Sequence, residues 1–218
     1  MRLRDILRAP INLIAPPTCQ ICGNRVEDGS ICEDCNLELA RLRLPICCYR
    51  PLIENIELIF AVYRFDSVAA DVVHLFKYSG NMEMGKFMAK MMAKAIEGHD
   101  FDLITEVPLF VSRRRERGFS QTELLARWIS GMAGVPERKL LRRNRYTPPQ
   151  ARLKDHSMRI ENVRNAFELI VPASEVDGRK ILLVDDVTTS GATLNEAARP
   201  LVDAGAETVS ALVFAVAG

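Results

Sequence analysis

The sequence predicts an α/β fold: a mostly parallel, twisted sheet with helices on both faces, preceded by a small cysteine-bearing module. Three observations predict it. The run Ile181-Leu182-Leu183-Val184 is continuously apolar, as in a strand covered on both faces, and it delivers Asp185 and Asp186 to the edge where open α/β sheets bind ligands. Amphipathic stretches at helical spacing alternate with short β-rich runs through the middle of the chain. Six cysteines all fall in the first quarter.

Composition sets the frame for the elements. The chain has 218 residues, nearly half apolar, enough for one main domain and an appendage; we divide it into residues 1–50 and 51–218. A formal net charge of +1 argues against a general polyanion binder, so any nucleic-acid contact must come from a local basic patch. The apolar runs are too short to span a bilayer, and Ile11 to Pro17, broken by Asn12 and two prolines, makes a poor signal-peptide core. The expectation is a cytoplasmic protein with no membrane insertion.

Met1 to Pro17, with Leu3, Ile6, Leu7, Ile11, Leu13 and Ile14, reads as a short helix and strap. Cys19-Gln20-Ile21-Cys22 and Cys32-Glu33-Asp34-Cys35 follow as two Cys-x-x-Cys knuckles separated by nine residues, with Gly23 after the first pair. That spacing suits a tetrahedral zinc–sulfur ribbon in which Cys19, Cys22, Cys32 and Cys35 fill every position, hence a structural and not a catalytic ion. Such a site contributes on the order of 10 kcal/mol to folding. Buried free cysteines and a redox pair are the alternatives, and Cys47-Cys48 is left unassigned.

Leu58 to Phe65 reads as a strand, and Ser67 as the cap of a helix carrying Val68, Val72, Val73, Leu75 and Phe76. Met82 to Ile96 is a second, methionine-rich helix, of the kind found in adaptable cores and interfaces. Phe101 to Val107 is the next strand; Pro108 stops it before a basic loop with Arg113, Arg114, Arg115 and Arg117, which leads into a helix at Thr122 to Ile129. A helix from Thr193 to Ala204, kinked at Pro200, and a strand from Thr208 to Val216 complete the sheet.

The turn after the two acids is suited to phosphate. Thr189 through Thr193 offer backbone N–H groups, three hydroxyls, a glycine that permits close approach, and the positive end of the following helix. Neither Gly-x4-Gly-Lys-Ser/Thr nor Gly-x-Gly-x-x-Gly occurs, so a P-loop and a dinucleotide fingerprint are excluded. Adjacent acids would repel a phosphate unless they face sugar hydroxyls or a divalent cation. Ribose 5-phosphate chemistry fits, against the blander reading of a strand edge with helix-capping acids.

Four apolar residues, two acids and a Thr/Ser/Gly-rich turn resemble the phosphoribosyl-pyrophosphate (PRPP) motif of type I phosphoribosyltransferases. That resemblance implies that Asp185 and Asp186 engage the ribose 2′ and 3′ hydroxyls, and that Thr189, Ser190, Gly191, Ala192 and Thr193 take the 5′-phosphate. Thr188 stands where many members carry an apolar residue; it joins the set with its role open. Phe76-Lys77-Tyr78-Ser79-Gly80, Val107-Pro108, Arg114 to Gln121 with Leu124-Leu125-Ala126, Arg143-x-Arg145-x-Thr147-x-x-Gln150-x-x-Leu153, and Arg159-x-x-Asn162-Val163-x-x-Ala166-Phe167 resemble the ComF/GntX family. The same family places a cysteine module ahead of a type I phosphoribosyltransferase-like sheet. Leu109-Phe110 departs from its usual second Val-Pro, and one clean four-cysteine site stands where some members have two.

The resemblance implies a PRPP-binding, Mg²⁺-dependent protein that displaces pyrophosphate from C1 of the ribose with an unknown nitrogen nucleophile. Arg113, Arg114, Arg115 and Arg117 would face the pyrophosphate. Tyr146 to Lys154 would form a closing flap, with Arg145, Gln150, Arg152 and Lys154 as contacts; His156 is open between a base and an exposed residue. The resemblance also implies a link to natural competence and DNA uptake, through a competence-machinery protein or single-stranded DNA as partner, and leaves a homodimer open. The rival readings are a non-catalytic nucleotide or PRPP sensor, a module handling single-stranded DNA through the ribbon and arginine loop, and a scaffold.

Overall fold

The computed structural model describes residues 17–26, 30–44, 48–49, 54–145 and 161–217. The expectations for the strap before Pro17, for Cys47, and for Gln150, Arg152, Lys154 and His156 of the flap region lie outside the described residues. In chain order the elements are α1 (Glu33–Leu42), β1 (Cys48–Tyr49), β2 (Ile59–Arg64), α2 (Ser67–Ser79), α3 (Met82–Ala95), β3 (Leu103–Glu106) and α4 (Val111–Arg117). Then come α5 (Gln121–Ala133), β4 (Leu141–Arg143), β5 (Phe167–Leu169), β6 (Lys180–Thr188), α6 (Ala192–Asp203) and β7 (Thr208–Val216).

Five strands form one sheet in the order β1-β2-β7-β6-β3, parallel throughout except for the short antiparallel edge β1. Strand alternation sends each side chain to one of two apolar layers. Phe60, Val62, Leu182, Val184, Leu212 and Phe214 pack beneath α1, α2, α3 and α5. Ile59, Ala61, Ile181, Leu183, Ala211 and Val213 face Leu194, Ala197, Ala198 and Leu201 of α6. The methionines read as core are core: Met84, Met88 and Met92 are wholly buried.

Several expected boundaries move, each for a local reason. Asp66 caps α2 in place of Ser67, its carboxylate accepting the Ser67 N–H at 2.8 Å; Ser67 is the first helical residue. Helix α5 begins at Gln121 because Ser120 accepts the Glu123 N–H, the Ser-x-x-Glu arrangement of a capping box. The basic run is a helix and not a loop. Its Arg and Glu residues are good helix formers, the Arg113 and Arg114 N–H groups bond the Phe110 carbonyl, and Gly118 at φ 78° ends it. Helix α6 runs on through Pro200, which withholds one N–H from the ladder near the helix end.

Helix α1 and the short strand β1 have no counterpart in the sequence reading, and neither has the antiparallel ribbon β4–β5, paired Leu141↔Leu169 to Arg143↔Phe167. Leu141 and Phe167 pack it onto the α6 layer. Asn165, at φ 55°, fixes its base, donating its N–H to Glu196 and accepting from Arg199 at 2.6 Å.

Helices α2, α3 and α5 approach closely at Gly85. A methyl group there would stand 2.5 Å from Phe76 Cε2 and 2.8 Å from Trp128 Cζ3, far inside contact distance. Gly85→Ala should therefore destabilise the protein by about 1–3 kcal/mol from overpacking, less the gain in helix propensity of up to about 1 kcal/mol. Urea unfolding checks this: a lowered midpoint is expected, and an unchanged or raised one contradicts the packing.

Candidate functional site

The site begins with the last residues of β6. Asp186 shares the face of Leu182 and Val184 and so points toward the α2 layer, whereas Asp185 shares the face of Ile181 and Leu183 and points toward α6 and the ribbon. Lys77 contacts one acid and its charge reaches both. Lys77 Nζ, from the last turn of α2, lies 2.7 Å from Asp186 Oδ1, with side chains 19% and 9% exposed. Asp185 accepts the Asp186 N–H at 2.8 Å and feels the charge of Arg143 on β4.

Electrostatics separates the two further. Although Asp185 keeps part of its surface open, protein encloses it closely. Desolvation first, and then the charge of Asp186, raise it from 3.8 to about 7, with Lys77, the Asp186 N–H and Arg143 opposing. Near neutrality it exchanges a proton readily. Arg143 is lowered to about 10, first by burial and then by the charge of Arg113, and its guanidinium lies 5.1 Å over the Phe167 ring.

Beyond the acids, Thr188 ends β6, and Thr189 and Ser190 turn into α6. Gly191, at φ 75°, is its N-cap and has no side chain to close the helix N-terminus. Ala192 and Thr193 form its first turn. Thr188 through Thr193 line one wall of a cleft of about 320 Å³; Phe65, His74, Lys77 and Tyr78 line the other, with Arg113 at its edge. Its size suits a small phosphorylated ligand.

The expected arginine set divides. Arg113 reaches the cleft. Arg114 instead pairs with Glu123 at 3.3 Å, Arg115 is exposed, and Arg117 is placed through its backbone at the end of α4. Arg145 of the flap set donates to the Asn162 and Arg164 carbonyls at 3.3 and 2.6 Å. The sequence reading passed over two residues. Lys77 stands in the sequence only as part of the Phe76–Gly80 motif, and a lysine just before a helix-ending glycine is the one local signal of it. Arg143 was one of several neighbouring basic residues, marked out only by the ribbon that buries it.

At the amino-terminal module, the Sγ atoms of Cys19, Cys22, Cys32 and Cys35 lie within 4.8 Å of one another, Cys22 and Cys32 at 3.5 Å. Tetrahedral Zn–S bonds of about 2.3 Å require sulfurs about 3.8 Å apart, so the four thiols could hold zinc. Burial raises Cys19, but the N–H groups of Cys22, Cys32 and Ile21 outweigh it and bring the thiol down to about 6; burial and neighbouring sulfurs push Cys35 up. The module rests on the site's helical wall. Leu39 and Leu42 join the core, and Asn81, which caps α3 two residues after α2 ends, donates to Gln20 at 2.9 Å.

Residues 88–217 match the model of the phosphoribosyl transferase domain. Over 215 residues the chain is 30% identical to the DNA utilization protein YhgH of Salmonella typhimurium, covering 94% of this chain and 92% of that one. It is 31% identical over 146 residues to competence protein F of Haemophilus influenzae, 63% of each chain, and 27% identical over 202 residues to competence protein ComFC of Bacillus subtilis, covering 91% and 77%. Among the described residues no helix is long and apolar enough to cross a membrane.

A buried acid at the end of β3 gives a pH test. Glu106, 3% exposed at the end of β3, has an Oε2 with no hydrogen-bond partner among the described residues, and desolvation raises it from 4.5 to about 7. A carboxyl raised on folding binds its proton more tightly in the folded state, so its contribution to stability falls as pH rises from about 4.5 to about 7. Glu106→Gln removes that proton. Between pH 5 and pH 8 the variant should lose about 2 kcal/mol less stability than wild type in urea unfolding; an equal loss in both proteins contradicts the assignment.

Proposed function

The chain belongs to the phosphoribosyl transferase domain family, in its ComF branch, and on that premise we propose that it binds PRPP and, with Mg²⁺, displaces pyrophosphate from C1 of the ribose. The observation that carries this is a single cleft lined by the Thr188–Thr193 turn, Lys77 and Arg113, with Asp186 held on Lys77 just before that turn. In this reading the turn and the α6 N-terminus hold the 5′-phosphate. Asp185 and Asp186 accept from the ribose hydroxyls. Arg113 and Arg143 stabilise charge developing on the leaving pyrophosphate, which is worth most where donors are fixed in advance.

With Lys77 already on Asp186, the acids do not form an open metal cage, so a Mg²⁺ would enter with the ligand's phosphates and neutralise part of their charge. As the bond from C1 to an attacking N–H nitrogen forms and the bond from C1 to pyrophosphate breaks, the nitrogen's proton would pass to water. The cysteine module, residues 1–50 in our division, would be a structural zinc ribbon beside a transferase-like domain in residues 51–218, the whole cytoplasmic.

The relatives named for DNA utilization and competence favour a second reading, a module that handles single-stranded DNA, with exposed Arg115 available to phosphates; a non-catalytic PRPP or nucleotide sensor is the other rival. Calorimetric titration of PRPP with Mg²⁺ into wild type and into Asp185→Asn/Asp186→Asn tests the binding. Wild type should bind and the variant should bind at least about tenfold more weakly, a change of about 1.4 kcal/mol; no binding by wild type contradicts the proposal. Pyrophosphate release is then assayed across bases, amines and nucleic acid, where binding without release selects the sensor. Salt-dependent DNA binding that PRPP does not affect and that charge reversal at Arg113, Arg114 and Arg115 abolishes selects the DNA module.

A further inference from the structure

We propose that Lys77 is the resident cation of this cleft: it holds Asp186 in the empty protein and passes to a ligand phosphate when a phosphorylated sugar binds, releasing Asp186 to the sugar hydroxyls. The inference rests on the reading of the cleft as a phosphoribosyl site. It starts from the geometry of the pair. Asp186 is 6% exposed, and a carboxylate so enclosed is costly without a partner; Lys77 supplies it at 2.7 Å. Lys77 is nevertheless also a lining residue of the cleft, opposite Thr188 through Thr193. Its flexible stem and three rotatable donors suit it to change acceptors, as a rigid guanidinium fork is not.

The exchange solves the repulsion that two acids present to an arriving phosphate. Asp185 has Arg143 on its own side of the sheet, whereas Lys77 is the cation that contacts Asp186 among the described residues. A phosphorylated sugar brings an anion to take the ammonium and hydroxyls to donate to the carboxylate in its place, so no buried group is left without a partner. A sugar without phosphate cannot draw Lys77 away, and a phosphate without a sugar would take Lys77 but leave Asp186 bare. The cleft would thus respond to the two halves of the ligand together.

Dissociation constants of ribose, inorganic phosphate and ribose 5-phosphate for wild type, Lys77→Met and Lys77→Arg test this, with thermal unfolding reporting whether each variant folds. In wild type, ribose 5-phosphate should bind at least a hundredfold more tightly than ribose or phosphate, and saturating phosphate should tighten ribose. Lys77→Met should lose at least tenfold toward ribose 5-phosphate while binding ribose as well as or better than wild type, and the phosphate-on-ribose coupling should vanish. Lys77→Arg should retain part of both. A merely structural lysine would weaken all three ligands together. That result, or equal affinities in Lys77→Met and wild type, overturns the exchange and leaves the phosphoribosyl site standing. Should Lys77→Met not fold, absence of the coupling in wild type overturns it equally. Failure of wild type to bind ribose 5-phosphate at all overturns the parent reading as well.

Discussion

Two neighbouring residues at the end of a pleated strand point to opposite sides of the sheet, and that constraint organises this protein's candidate site. The fold brings cations from both sides: Lys77, from the helical layer over Phe60, Val184 and Phe214, contacts Asp186 and its charge also reaches Asp185, to which Arg143 of the ribbon in the α6 layer adds a smaller share. Both layers must be in place for the carboxylates to be held apart and charge-compensated. The central strands β6 and β7, nine residues each and nearly buried throughout, provide the rigidity.

The same constraint gives the outlying parts a role. The cysteine module lies far in sequence from the phosphate turn, yet it bears on the α2–α3 corner through Gln20 and Asn81, and its Leu39 and Leu42 share the core beneath α2. Gly80 closes α2 between Lys77 and Asn81. Folding of the module therefore bears on where Lys77 stands. On the other side, Arg145, Asn165 and Arg199 fix the base of the ribbon that carries Arg143.

Much of this was legible in the sequence wherever periodicity was long or chemistry was local. The apolar run into Asp185 located β6, the Thr-Ser-Gly-Ala-Thr turn located the α6 N-terminus, and β7 spans the predicted Thr208–Val216. The Cys-x-x-Cys spacing foretold four converging sulfurs. What escaped was non-local or weakly patterned. Strands β4 and β5 are three residues each, too short to show alternation, and their partners lie far apart in sequence. Helix α4 is too charged to show an apolar stripe, so it read as a loop, and Arg114's turn toward Glu123 depends on where α5 begins. Lys77 meets Asp186 only through the tertiary fold.

The most direct measurement is a crystal structure of the full chain with PRPP and Mg²⁺ bound. The account predicts the 5′-phosphate seated on Thr189 through Thr193, the ribose hydroxyls on Asp185 and Asp186, and the pyrophosphate directed toward Arg113 and Arg143. A ligand found away from the Thr189–Thr193 turn, or one whose sugar leaves both acids untouched, would contradict it.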